Sequence, residues 1–140
     1  MADTFTSRTL DVVTGTSETV HDLTAACAEF LAEAARKRDG LLNVFTPHAT
    51  AGLAVIETGA GSDEDLLEAL RTLLPADGRW RHRHGSPGHG RDHVLPAIVP
   101  PHLTLPVIGG ALALGTWQSV VLVDTNRDNP ERTVRLSFLG

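Results

Sequence analysis

One short stretch gathers most of the side chains in this chain that could bind a metal or an anion. Residues 78–93, GRWRHRHGSPGHGRDH, hold four of the seven histidines and four of the twelve Lys and Arg residues. The histidines His82, His84, His89 and His93 follow the spacing H-x-H-x4-H-x3-H. Neutral imidazole is the commonest protein ligand of zinc and related ions, and three such ligands with one open position make a catalytic site. Two interpretations are open. Either the stretch forms a site for an anion, a metal or both, or it is a solvated loop of accidental composition.

The sequence predicts a mostly irregular backbone around these histidines. Residues 75–101 contain five of the eight prolines, and Gly88 and Gly90 flank His89. Glycine disfavours a helix, so the spacing of His89 and His93 does not by itself place both on one helical face. A long ordered loop in a compact domain is usually either functional or mobile.

Two further candidates lie in the middle of the chain. His48, in FTPHATA, follows an apolar run where a strand gives way to a loop, a position that often carries active-site residues. A hydrogen-bonded structural histidine is the alternative. Glu57 ends the next apolar run, GLAVIE, where a carboxylate is costly unless it is paired or exposed. If the two runs form a hairpin, His48 and Glu57 need not be close within one chain.

A third group lies towards the C-terminus. In LGTWQS, Trp117 and Gln118 are predicted to open a strand, the first as a core aromatic and the second as an amide at the strand edge. Asp124 ends that strand, and three arginines follow it: Arg127, Arg132 and Arg135. These charges are either a surface set of ion pairs, which contributes little to stability, or a bidentate phosphate clamp.

The predicted secondary structure indicates an α+β fold in a single domain, residues 1–140. Two helices should pack on largely antiparallel, packed β-sheets. The first helix, capped by Thr16 or Ser17, should bury Cys27 on its apolar face, and the second should be capped by Ser62. We predict a strand over 4–14, a helix over 17–38, strands over 41–46 and 52–57, a helix from Ser62 to Pro75, a Gly109-Gly110 hairpin turn after LTLPVI, and two later strands in ALALGTWQSVVLVD and RTVRLSFLG.

Composition excludes several function classes. A formal charge of −5 argues against a general nucleic-acid binder, whose affinity depends on neutralising phosphates. No run approaches the roughly 18 apolar residues that span a bilayer. The N-terminal residues lack the features of a signal peptide, and the single Cys27 cannot form an internal disulfide. We therefore expect a cytoplasmic protein without nucleic-acid or membrane partners. Phosphate-binding glycine patterns, nucleophile elbows and zinc-finger spacings are absent from the sequence.

Several motifs occur in an order that resembles a known family. HATAGLAVIE (48–57), DLL (65–67), WRH (80–82), DH (92–93) and LTLPVIGGALALGTWQSVVLVD (103–124) are similar to the motifs of the YjbQ-like family. Members of that family are called secondary thiamine-phosphate synthases. The resemblance runs from about residue 41 to the end, and LGTWQ is its most specific part. It implies an α+β fold of packed sheets and a homotrimer with pockets near the subunit contacts.

The resemblance also assigns residues. The histidine and glutamate of the first motif match His48 and Glu57, and the later histidines match His82 and His93. The remaining matches are Trp117, Gln118, Asp124 (more usually Glu in the family) and Arg132. The chain departs from the family in a longer segment between His82 and His93, which adds His84 and His89 and lacks an expected Asn near position 89.

These matches imply a small enzyme with a histidine-rich pocket. We expect catalytic roles for His48, Glu57 and His93, a divalent metal (zinc or magnesium) on His48, His82 and His93, and substrate binding by Arg132, Gln118, Trp117 and Asp124. The implied reaction is a weak thiamine-phosphate synthase activity, which joins a pyrimidine diphosphate to a thiazole phosphate and releases pyrophosphate. The alternatives are a metal-dependent hydrolase and a non-catalytic trimer that binds a small phosphorylated metabolite.

Overall fold

The computed structural model describes residues 4–140, and it confirms the α+β class. The first three residues of the predicted domain lie outside the described range. In chain order the elements are β1 Phe5–Val13, β2 Thr19–Asp22, α1 Thr24–Ala34, β3 Gly40–Phe45, β4 Ala51–Ile56, α2 Ser62–Leu73, a 3-10 helix His89–His93, α3 Leu95–Ile98, β5 His102–Ile108, β6 Ala111–Leu112, β7 Ser119–Asp124 and β8 Glu131–Leu139. No helix in residues 4–140 is long and apolar enough to cross a membrane.

The strands form two antiparallel sheets. The larger has the order β1-β8-β3-β5-β6 and the smaller β2-β7-β4. Strand β7 is apolar on both faces because each face is covered: Val120 and Leu122 pack into the core shared with α1 and the larger sheet. Val121 and Val123 pack against residues of α2 and α3. A nearly continuous apolar run is what burial on both faces requires.

The predicted helix over 17–38 is too long at both ends, since helix α1 spans only Thr24–Ala34. Residues Thr19–Asp22 form β2, which pairs with β7 so that Thr19 lies opposite Asp124. Helix α1 begins only at Thr24, whose backbone N–H donates to Asp22 Oδ1 at 2.8 Å. Pairing with the edge of β7 therefore overrides the local helical pattern. The predicted burial of Cys27 is confirmed, since its side chain is fully buried.

The two central strands do not form a hairpin with each other. Strand β3 pairs with β5 and β8, whereas β4 pairs with β7 in the other sheet. The segment 46–50, which contains His48, therefore crosses from one sheet to the other. Helix α2 begins at Ser62 as predicted, but Ser62 is not its cap: Gly61 precedes it with φ 102°, and no side chain caps the helix.

The histidine-rich loop contains more helix than the glycines indicated. A 3-10 helix spans His89–His93, although we predicted no helix there. Gly90 is needed for close packing, because a Cβ atom at this position would lie 2.4 Å from Trp80 Cβ. The glycine hairpin is confirmed, with Ile108 paired to Ala111. Trp117 and Gln118 lie in the turn before β7, and the core prediction for Trp117 is wrong because 73% of its surface is exposed.

Candidate functional site

Three histidines of the 78–93 stretch converge. One ring nitrogen from each of His82, His89 and His93 lies within 4.8 Å of the other two. The Nε2 atoms of His89 and His93 are 3.0 Å apart. Two nitrogens bound to one tetrahedral zinc ion at about 2.1 Å would be about 3.4 Å apart. The imidazoles are therefore close to the spacing that a shared ion requires.

Two carboxylates orient His89. Its Nδ1 atom lies 3.1 Å from Asp92 Oδ2 and 3.2 Å from Asp128 Oδ2. Both acids are themselves held: Thr125 Oγ1 donates to Asp92 at 2.6 Å, and the Ser86 backbone N–H donates to Asp128 at 3.1 Å. A carboxylate can only accept, so Nδ1 carries the proton and Nε2 keeps its lone pair towards His93. Metal-binding histidines commonly donate their other ring N–H to a carboxylate in this way.

One ring nitrogen of His82 lacks a partner within the part of the chain that the structure describes. Its Nδ1 atom is buried and forms no hydrogen bond with residues 4–140. Buried polar atoms nearly always have a partner, so a free one beside two other imidazoles indicates a role in binding. The His84 ring lies 3.9 Å from the His82 ring, centroid to centroid, and its side chain is exposed.

The cluster favours neutral imidazoles. Burial lowers the pKa of His82, and the nearby His84 and His89 lower it further. Burial likewise lowers the pKa of His93, as do the other three rings, while Asp92 opposes the shift. Because only unprotonated imidazole binds a metal, these pKa shifts keep both side chains available as ligands near neutral pH.

A cavity of about 370 Å³ reaches the cluster from solvent. Its wall includes His82, His89 and the Trp80 ring, together with glycines of the same loop. Trp80 is held there by its indole N–H, which donates to the Pro75 carbonyl at 2.8 Å. A small molecule in this cavity would contact two of the three histidines directly.

The structure does not bring His48 or Glu57 into this cluster. His48 Nε2 accepts a hydrogen bond from the Thr133 backbone N–H at 2.9 Å, so this nitrogen already has a partner. Burial and the Arg132 charge lower the pKa of His48, and Asp124 opposes them. Glu57 is exposed just after β4. Of the predicted residues, the structure thus joins His82 to His93 and adds His89.

Arg132 and Asp124 form a buried ion pair. Arg132 Nε donates to Asp124 Oδ2 at 2.7 Å, and both side chains are only 1% exposed. Arg132 Nη2 also donates to Thr50 Oγ1 at 2.9 Å. The pair is therefore buried and does not belong to a surface set of ion pairs, which was one of the two alternatives from the sequence. The Arg132 guanidinium group already has hydrogen-bond partners. Gln118 also has a partner in its own turn, since its Oε1 accepts from the Gly115 N–H at 2.8 Å.

Sequence reasoning missed the residues that connect these two groups. In the segment 124–128, Asp124 and Asn126 bond towards Arg132 and Thr50, whereas Thr125 and Asp128 bond towards the histidine loop. The sequence TNRDNP predicts only a turn. In the structure, its polar residues bond alternately to the Arg132 pair and to the histidine loop. Asp92 and Asp128 meet at His89 only in the folded chain, so no sequence spacing could have identified them.

Comparisons with known proteins agree with this structure. The family model described as UPF0047 protein YjbQ-like matches residues 8–140. A UPF0047 protein of Mycobacterium tuberculosis strain H37Rv is 62% identical over 130 residues, covering 93% of this chain and 95% of that protein. The UPF0047 protein YjbQ of Escherichia coli O157:H7 is 28% identical over 122 residues, covering 86% and 88%.

Solved structures show the same fold. A hypothetical protein of Aeropyrum pernix K1 superposes with a TM-score of 0.85 at 35% identity, covering 96% of this chain and 98% of that one. A protein of Sulfolobus solfataricus P2 described as YbjQ-like superposes with a TM-score of 0.91 at 23% identity, covering 99% of both chains. The family model spans nearly the whole chain, and the relatives match over most of their own length. The chain therefore belongs to the UPF0047, YjbQ-like family.

Proposed function

We propose that this protein is a metal-dependent enzyme that acts on a small phosphorylated metabolite. The observation that carries the proposal is the convergence of His82, His89 and His93, with ring nitrogens within 4.8 Å of one another. Three imidazoles with a position left open characterise catalytic rather than structural zinc sites. When bound, such an ion supplies Lewis acidity, either for activating water or for stabilising a departing phosphate.

The protein groups around the cluster fit this role. Asp92 and Asp128 fix His89, and the buried Nδ1 of His82 forms no hydrogen bond with residues 4–140. The ligand set differs from our sequence expectation in one residue, with His89 in place of His48. Catalytic roles for His48 and Glu57 stay predictions, since neither joins the cluster within one chain and both would need a neighbouring subunit.

We propose the thiamine-phosphate synthase reaction as the first activity to assay. It is supported by family membership and by the positive charge that departure of pyrophosphate requires. Metal-dependent hydrolysis is the second candidate, favoured by the same three imidazoles, and binding without turnover is the third. Substrate contacts from Arg132, Gln118, Trp117 and Asp124 stay predictions, and 73% of the Trp117 surface is exposed to solvent.

Self-association as a homotrimer is also a proposal, and an apolar row on the larger sheet supports it. Phe5 lies opposite Leu139, which lies opposite Leu41, and these side chains are 69%, 47% and 47% exposed. Sedimentation of the wild type against Phe5→Ser tests this: we expect a trimer that dissociates in the variant. A cytoplasmic location is a further proposal, supported by the single free cysteine.

The metal proposal is tested on protein purified without a histidine tag. We expect one equivalent of zinc or a related ion by elemental analysis, and competition with a chromophoric chelator should give its affinity. His82→Ala should weaken binding by about 100-fold or more, since even loss of an outer partner costs 10–100-fold. His102→Ala is the matched control, because His102 is exposed on β5 outside the cluster. Equal affinity in the two variants would refute the site.

Activity is then assayed on the metal-loaded protein. Pyrophosphate release from the two thiamine precursors, lost in His82→Ala and kept in His102→Ala, supports the transfer reaction. Release of phosphate from simple phosphate esters with the same dependence would identify a hydrolase instead. Saturable binding without either turnover would make the protein a binding module.

A further inference from the structure

A second feature of the surface is an open groove of about 630 Å³ beside the histidine loop. Three arginines from separate elements line it: Arg71 from α2, Arg91 from the 3-10 helix and Arg127 from the segment after β7. Among the described residues that line the groove, Glu18 is the only carboxylate. Arg71 is also paired with Glu68, and Arg91 Nε lies 3.6 Å from Asp92 Oδ1, so Arg127 carries the uncompensated positive charge among the three arginines.

The inner part of the groove is built and rigid. Arg91 is only 5% exposed; it bonds Glu18 and donates to the Leu74 carbonyl at 3.3 Å. Glu18 also accepts from Arg71 Nε at 2.7 Å. Burial raises the pKa of Glu18, but the hydrogen bonds and charges of Arg91 and Arg71 outweigh burial and lower it overall. Glu18 is thus ionised, and it fixes two of the three guanidinium groups.

Arg127 differs from the other two arginines. Its side chain is exposed at the edge of the groove, and it enters no ion pair among residues 4–140. A guanidinium group presents a planar fork of donors that matches a phosphate group in bidentate fashion. The hydroxyl groups of Thr16 and Ser17, which also line the groove, offer further donors.

The groove and the histidine cluster are linked by lining residues that neighbouring cavities share. A recess of about 180 Å³ shares Arg91 and Arg127 with the groove, and its wall also contains Asp92, Thr125 and His89. His89 in turn lines the cavity that reaches His82. A molecule whose charged end lies among the arginines could therefore extend its other end to the imidazoles.

We propose that this groove is an anion subsite that binds the phosphate or diphosphate group of the substrate, with the exposed Arg127 as the principal donor. The placement of the rest of the substrate depends on the proposed function. The anion site does not depend on it, because its donors are protein side chains and not the proposed metal ion. Glu18 acts against the bound anion and limits its affinity.

The test uses isothermal titration with inorganic pyrophosphate, on the protein as purified and again after removal of metal by a chelator. Arg127→Gln should weaken pyrophosphate binding by about tenfold, the effect of losing one charge-assisted hydrogen bond. Glu18→Gln should strengthen binding by several-fold, because it removes the carboxylate that lines the groove. Arg135→Gln is the matched control: it removes the same charge from an exposed residue of β8 that lies outside the groove.

Opposite shifts in the first two variants, with Arg135→Gln like the wild type, support the subsite. A loss of folding cannot imitate this result, since damage would weaken binding in every variant. Equal pyrophosphate affinity in all four proteins overturns the proposal, as does binding that requires the metal and ignores Arg127. Neither result bears on whether His82, His89 and His93 hold an ion, which the zinc competition decides separately.

Discussion

The Nε2 atoms of His89 and His93 lie 3.0 Å apart, at the two ends of one 3-10 helix. Such a contact between two basic nitrogens is stable only if one is protonated or if both face a cation. Asp92 and Asp128 hold the His89 proton on the far side of the ring, at Nδ1. With that proton at Nδ1, His89 Nε2 can either accept a hydrogen bond from His93 Nε2–H or bind an ion, and the first prediction tests the second case.

Asp92→Asn should weaken zinc binding by about 10–100-fold. The amide keeps the size of the carboxylate but removes the charge that orients His89 and supports its basicity. Chelator competition measures the affinity, and Asp11→Asn, an exposed acid on β1, is the control. An unchanged affinity in Asp92→Asn would show that the carboxylate does not support a metal ligand.

The histidines make stability depend on pH. Burial lowers the pKa of His48, His82 and His93 in the folded protein. The unfolded chain, with histidine pKa near 6.5, then binds more protons than the folded chain as pH falls, so the free energy of unfolding decreases with falling pH. The stability contributed by the neutral form is fully present above about pH 7.5 and is lost progressively as pH falls through 6.5 and below.

Urea unfolding of the metal-free protein between pH 5 and 8 measures this dependence. His93→Gln should make the slope shallower, because it removes one of the groups whose pKa is lowered in the folded protein. Stability that rises as pH falls over this range would contradict the assigned shifts.

The buried pair Arg132–Asp124 should be essential for stability. Asp124→Ala leaves the 1%-exposed Arg132 without its counter-ion, and breaking a buried pair costs about 3–5 kcal/mol. The exposed pair Arg8–Glu33 is the comparison: Glu33→Ala should cost less than about 1 kcal/mol. Chemical denaturation gives both values, and similar losses in the two variants would show that burial of the pair contributes nothing.

We expect the histidine loop to require glycine at position 90 for its packing. A Cβ atom there would lie 2.4 Å from Trp80 Cβ and 2.5 Å from the His82 carbonyl oxygen. Gly90→Ala should therefore displace the segment that carries His82, with a stability loss of about 1–3 kcal/mol and weaker zinc binding. Gly78→Ala in the same loop meets nothing within 4 Å and is the matched control. If Gly90→Ala kept full zinc affinity, the close packing at position 90 would not be needed for the histidine cluster to bind zinc.

Local pattern was sufficient for much of the fold. The apolar alternation of RTVRLSFLG predicts β8, and the acidic first turn and following proline predict α2. The glycine pair predicts the β5–β6 turn. The motifs also pointed to the right family. Each of these signals lies within a few neighbouring residues, which is the range over which propensity and periodicity act.

Tertiary contacts decided the rest. The helical pattern over 17–38 gave way at Thr19–Asp22, because the edge of β7 offered backbone partners that the sequence does not reveal. In the proposed ligand set, His89 takes the place of His48 for a similar reason. The sequence by itself determined that imidazoles are concentrated in one loop, but only the folded chain brought Asp92 and Asp128 onto the same ring nitrogen of His89. Spacing along a chain limits which residues can meet, whereas the pairing of distant strands and the packing of their loops determine which ones do.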